Sequence, residues 1–129
     1  MYKIIVVDDD KDILQVLEVI LKRDAINMIG LTDTKKLDEH LADKPCMILL
    51  DVHIMGEDGF EVCKRLKTDP KTKDIPVIMF SAASAESVKV KYMADDYVEK
   101  PFDINHLVSV IKKHCEPSIL SEVPVMSNN

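Results

Sequence analysis

Short apolar runs alternate with segments of helical period along the chain, and this alternation restricts the fold more than any other feature of the sequence. Residues 3–7, 27–31, 47–51 and 76–81, with a weaker run at 97–99, read as strands buried on both faces, apolar almost to their last positions. Between the first two, Ile13, Val16, Leu17, Ile20 and Leu21 recur at spacings of three and four, closed by Lys22, Arg23 and Asp24. Residues 35–41 form a shorter, more polar helical candidate. Phe60, Val62, Cys63 and Leu66 mark another, stopped by the "TDP" at residues 68–70. Asp103 is placed to cap a last helix with Ile104, Leu107, Val108 and Ile111 on its inner stripe and Lys112, Lys113 and His114 at its negative end. Five strands alternating with about five helices predict an α/β fold: a doubly wound five-stranded parallel sheet with helices on both faces.

In such sheets ligands gather outside the carboxyl ends of the strands. There the sequence puts Asp8, Asp9 and Asp10 after the first strand, Asp51 at the end of the third, Ser81 at the end of the fourth and Lys100 after the fifth. Each has a plain structural reading: Asp10 or Asp12 caps the first helix, Ser81 caps the segment after it, and Lys100 is a solvated lysine. Those readings do not explain why carboxylate, hydroxyl and ammonium fall on one edge. Two like charges ~4 Å apart repel by about 4 kcal/mol at an effective dielectric near 20, so the acidic cluster needs a counter-charge. Phosphoryl transfer to a carboxylate uses this set: a hard cation such as Mg²⁺ takes the acidic oxygens, one aspartate attacks phosphorus, and a hydroxyl and an ammonium bind the remaining phosphoryl oxygens.

The apolar run ending in Asp8-Asp9, the "LLDVHIMGEDG" around Asp51, the "MFSA" holding Ser81 and the "DDYVEKPF" holding Tyr97, Lys100 and Pro101 together resemble the receiver domain of two-component response regulators. The resemblance spans residues 2 to about 115 and implies a flavodoxin-like sheet of order 2-1-3-4-5. It implies that Asp51 is the phosphoacceptor, that Asp8, Asp9, Asp51 and the backbone carbonyl of His53 hold Mg²⁺, with Mn²⁺ as a substitute, and that Lys100 contacts the phosphoryl group. By the same resemblance Ser81 and Tyr97 form the switch, the Lys100-Pro101 bond is cis, and His53 and Ala83 sit where access of water is tuned. The implied partners are a histidine kinase or histidine phosphotransfer protein as donor and a downstream protein as target, and the chain catalyses no reaction beyond its own phosphorylation and dephosphorylation. Three departures stand out. Met55 replaces the usual proline four residues after the phosphoacceptor, the stretch from Ser81 to Lys100 is about one helical turn short, and the usual glycine before "ADDY" is missing. An abbreviated fourth helix within residues 85–93 is therefore expected.

Charge and length narrow the alternatives. The 129 residues suit one domain over residues 1–115, with 116–129 expected as a mobile tail. A formal charge of -6 argues against nucleic acid or an anionic membrane as partner. No apolar run approaches ~20 residues and the start lacks a signal-peptide layout, so a cytoplasmic location is expected. The three cysteines, Cys46, Cys63 and Cys115, are odd in number and far apart, which predicts reduced, mostly buried thiols. A calcium loop from Asp8 fails at Ile13 and Val19, three glycines make no phosphate loop, and the four histidines have no zinc spacing with the cysteines. Two other functions remain open on sequence: a small Mg²⁺-dependent phosphatase with its nucleophile on the first strand, which gives Asp51 no role, and a receiver fold turned into a binding module.

Overall fold

The structure, a computed structural model, describes residues 2–81 and 94–116 of the chain. Its strands are β1 (Tyr2–Val7), β2 (Ile26–Leu31), β3 (Met47–Asp51), the two-residue β4 (His53–Ile54) and β5 (Glu57–Asp58), β6 (Val77–Ser81) and β7 (Asp96–Glu99). The five longer ones form one sheet in the order β2-β1-β3-β6-β7, every pair parallel. Counted along the chain, this is the predicted order 2-1-3-4-5. Helices α1 (Lys11–Lys22), α2 (Leu37–Leu41), α3 (Gly59–Thr68) and α4 (Ile104–Cys115) cover both faces. The helix expected within residues 85–93 and the tail beyond residue 116 lie outside the described residues.

The continuous apolar runs are explained by parity, since successive strand residues point to opposite faces. Ile4, Val6, Leu49, Ile78 and Phe80 pack with Leu14, Leu17 and Leu21 of α1 and with Leu107, Val108 and Ile111 of α4. Ile5, Val7, Ile48, Leu50, Val77 and Met79 pack on the other face with Leu37 and Leu41 of α2 and Val62, Cys63 and Leu66 of α3. Truncating one of these buried aliphatics, such as Leu49→Ala, removes about 2–5 kcal/mol.

Helix starts follow the capping signals. Asp10 accepts from Asp12 N and Ile13 N, Asp58 from Phe60 N, and Asp103 from Asn105 N and His106 N. The predicted inner stripe of α1 needs correction: Leu14, Leu17 and Leu21 are buried, whereas Val16 is 55% exposed, because the face turned to the sheet runs through positions 14, 17 and 21. The short strands β4 and β5, between β3 and α3, have no counterpart in the sequence reading. They pair antiparallel and are joined through Met55 and Gly56, the latter at φ 77°. Strands this short lie below what periodicity reveals.

The cysteines are the largest correction. Cys46, just before β3, and Cys115, at the end of α4, form a disulfide with Cα atoms 5.3 Å apart, and Cys63 alone is a free, buried thiol. The two partners are separated by 69 positions in sequence, so no local spacing betrays them; the packing of α4 against the sheet brings them together.

Candidate functional site

The carboxyl ends of β1, β3, β6 and β7 bring the predicted groups to one rim. Asp8 continues the pairing of β1 by donating its N–H to Leu31 O at 2.9 Å, and its side chain is driven inward: the residue is 1% exposed. Asp51, the last residue of β3, is 7% exposed, and Ser81, the last of β6, is 5% exposed. Asp9 is exposed above them. Ligand-capable oxygens of Asp8, Asp9 and Asp51 all lie within 4.8 Å of one another.

Lys100 supplies a counter-charge from within the chain. Its Nζ lies 3.1 Å from Asp8 Oδ2 and 3.3 Å from Asp51 Oδ2, bridging the two buried acids, and 4.3 Å from the centre of the Phe80 ring. The backbone of Lys100 is fixed at the end of β6, its N–H donating to Ser81 O at 2.7 Å. The Lys100-Pro101 peptide bond is cis, as the resemblance implied. Part of the repulsion apparent in the sequence is thus relieved without any ion. The relief is incomplete at Asp51. Burial pushes its pKa above the usual carboxylate value; Lys100 pulls it down, the nearby Asp8 raises it, and hydrogen bonds from His53 N and Lys100 lower it, yet the net direction is up.

The remaining oxygens are held by backbone. Asp51 Oδ1 accepts from His53 N at 3.2 Å and Asp8 Oδ1 from Asp10 N at 2.9 Å. Asp9 Oδ2 accepts from Met55 N at 2.9 Å. That last bond is available because position 55 is not proline, which has no N–H. The Met55 side chain itself is 81% exposed. Glu57 of β5 accepts from Thr34 N at 3.2 Å and from the Thr34 hydroxyl, tying the β4–β5 ladder to the loop after β2.

His53 is exposed within this ladder, paired with Asp58, and lies two residues after Asp51. Tyr97, on β7, is half-buried and lines a groove of about 600 Å³ with Asp96, His106 and Lys113. None of Asp8, Asp9 and Asp51 lines that groove. Ala83 falls outside the described residues. Sequence reasoning missed Gly59 altogether: a Cβ there would lie 2.3 Å from Asp51 O and 2.6 Å from Val52 O, so only glycine lets α3 start against the end of β3. The signal was the glycine in "EDGF" just after an acidic cap, legible only once the close approach is known.

A buried acid with a raised pKa, a second buried acid, an exposed third and an ammonium in reach of two of them form a site that can bind a hard cation and an anionic group together. The family model of the response regulator receiver domain matches residues 4–112. Among solved structures, the chain is similar to the signal receiver domain of a signal transduction histidine kinase from Syntrophus aciditrophicus, with 26% identity, a TM-score of 0.81 and coverage of 91% of this chain and 92% of that one. It is similar to the N-terminal signal receiver domain of a two-component system response regulator from Bacteroides fragilis, with 27% identity, a TM-score of 0.79 and coverage of 90% and 98%. The N-terminal domain of a response regulator receiver protein from Methanoculleus marisnigri JR1 is 33% identical, with a TM-score of 0.69 and coverage of 88% and 95%.

Proposed function

The chain belongs to the response regulator receiver domain family, and from that premise we propose that Asp51 accepts a phosphoryl group in a Mg²⁺-dependent reaction that switches a protein-binding surface. The observation that carries the reading is the Lys100 ammonium within 3.3 Å of both buried acids, on the rim where Asp9 completes a three-carboxylate cluster. The donor is a histidine kinase or histidine phosphotransfer protein, and the place of action is the cytoplasm. Among the described residues no helix is long and apolar enough to cross a membrane. The acidic balance of the chain favours a protein target over nucleic acid.

The donor set fits a hard divalent cation: carboxylate oxygens from Asp8, Asp9 and Asp51, with the His53 carbonyl as a further ligand, around a site where burial first and the neighbouring Asp8 second raise the Asp51 pKa. When bound, Mg²⁺ (or Mn²⁺) supplies neutralising charge to the phosphoryl oxygens. One Asp51 carboxylate oxygen attacks phosphorus, the P–O bond forms as the P–N bond to the donor imidazole breaks, and that imidazole keeps the bonding pair and takes up a proton from water. Lys100 exchanges its bond to Asp51 Oδ2 for a phosphoryl oxygen while keeping Asp8, so no buried charge is left unpaired. The Ser81 hydroxyl binds another phosphoryl oxygen. Moving Ser81 toward it also moves its carbonyl, which receives Lys100 N, so the ends of β6 and β7 shift together and Tyr97 on β7 turns. The chain turns over no external substrate; it catalyses its own phosphorylation and dephosphorylation.

Intact-mass analysis after incubation with acetyl phosphate and Mg²⁺ tests this. The parent is expected to gain one acid-stable, base-labile phosphoryl group and Asp51→Asn none, whereas Ser81→Ala and Lys100→Ala still accept it without the surface change. Equal modification of Asp51→Asn, or no uptake by the parent where a control receiver is labelled, overturns the reading.

A further inference from the structure

The last turn of α4 is fastened at four successive residues to three other parts of the fold. Lys112 Nζ lies 3.9 Å from Asp24 Oδ1 in the turn before β2, Lys113 Nζ 3.5 Å and His114 Nε2 3.0 Å from Asp96 Oδ2 on β7, and Cys115 is bonded to Cys46 before β3. The two lysine ties are ion pairs within reach of water and so weak and exchangeable, and the His114–Asp96 tie is a part-buried hydrogen bond. The fourth is covalent. Both of its cysteines are only partly buried, whereas Cys63 is fully buried and its thiol pKa is pushed up to about 11 by burial. A domain with an apolar core on each face of its sheet has no need of a staple to fold, and in a reducing compartment a disulfide between partly buried cysteines is a transient, sensing bond.

We propose that Cys46 and Cys115 form a reversible thiol–disulfide site, closed and opened by a small-molecule couple of the glutathione class, that latches the end of α4 to the sheet. The inference rests on the cytoplasmic reading of the chain. In closing, the thiolate of one cysteine attacks the disulfide of oxidised glutathione, forming a mixed disulfide and releasing one glutathione thiolate. The second cysteine thiolate then displaces the other glutathione. Two protein thiols are oxidised, one glutathione disulfide is reduced to two glutathione molecules, and the reverse exchange opens the latch. The effect reaches the switch by a short route: His114, next to Cys115, holds Asp96, and Asp96 Oδ1 accepts from the N–H of Tyr97 at 2.9 Å.

The test equilibrates the full chain anaerobically across ratios of reduced to oxidised glutathione, traps thiols by alkylation, and counts them by intact mass. The expected result is a closed bond in excess oxidised glutathione that reopens fully in millimolar reduced glutathione, with Cys63 unmodified throughout. Amide exchange of residues 112–116 is expected to quicken at least tenfold in the open form, with residues 47–51 unchanged. A bond that stays closed in reduced glutathione, a failure to close, or identical exchange in the two forms overturns the proposal. Phosphoryl uptake is measured on the same samples; its absence in both forms strikes the Asp51 reading and leaves the latch untouched.

Discussion

The two edges of the sheet are held by opposite means. At the carboxyl edge, Asp8 and Asp51 are buried around one ammonium, and Asp51 remains with a raised pKa. At the amino edge, Cys46 is joined covalently to Cys115, and charges such as Lys3 and Asp43, 3.4 Å apart, pair in reach of water. The first edge retains electrostatic tension of the kind a hard cation relieves; the second has none to relieve. Where a fold concentrates like charge out of water, it is keeping a site responsive to ligands.

Four measurements can break or sharpen that contrast. The largest effect belongs to the amino edge: closing a loop of 69 positions stabilises the chain by at most about 4 kcal/mol in the chain-entropy account, and by less the more readily glutathione opens the bond, since every 1.4 kcal/mol lowers its potential by about 30 mV. Cys115→Ser should lose that amount in oxidising denaturant titrations and nothing under reductant, with Mg²⁺ affinity unchanged in both. Next, Gly59→Ala forces a Cβ against Asp51 O and should destabilise by about 1–3 kcal/mol while weakening Mg²⁺ binding, because it displaces the end of β3. A thermal melt and calorimetric titration would show both; an unchanged melt would mean that α3 shifts freely.

Smaller still, Met55→Pro removes the N–H that holds Asp9 Oδ2, a charge-assisted bond worth about 1.5 kcal/mol. Mg²⁺ affinity should fall several-fold in Met55→Pro and stay unchanged in Met55→Ala, which keeps the donor. The smallest effect has the opposite sign. The folded-state pKa of Asp51 is raised above 3.8, so its ionisation opposes folding: the penalty is absent below that pH, grows as pH rises through the folded pKa, and is complete above it. Without Mg²⁺, Asp51→Asn should therefore be more stable than the parent by on the order of 1 kcal/mol at neutral pH, and equal to it at pH 3. A variant less stable than the parent at pH 7 would show that Lys100 already neutralises the rim.

The carboxyl edge is legible in the sequence because its groups are chemically distinctive and each follows an apolar run that fixes its place: Asp8 after Val7, Asp51 after Leu50, Ser81 after Phe80. The caps at Asp10 and Asp103 come from the same local signals, whereas the strand order is implied by the family resemblance. What stays hidden depends on contacts distant in sequence or on backbone. Sequence puts Lys100 on the rim, but not as the bridge between Asp8 and Asp51, since its reach across 92 and 49 positions is a tertiary fact. The Met55 N–H on Asp9 is invisible to any reading of side chains. Cys46 and Cys115 read as separate thiols in the sequence because pairing of distant cysteines is decided by how α4 lies on the sheet.

The division of each strand between two half-cores also makes the sheet a reading frame. In β3, Leu49 faces α1 and α4 while Leu50 faces α2 and α3. Deleting one residue from this strand would exchange the two sets, driving each side chain into a space shaped for its neighbour. The same slip would draw Asp51 back by one position, away from Lys100. Errors of register that displace the buried carboxylate thus spoil the packing with it, and a chain that folds stably carries its aspartate in frame.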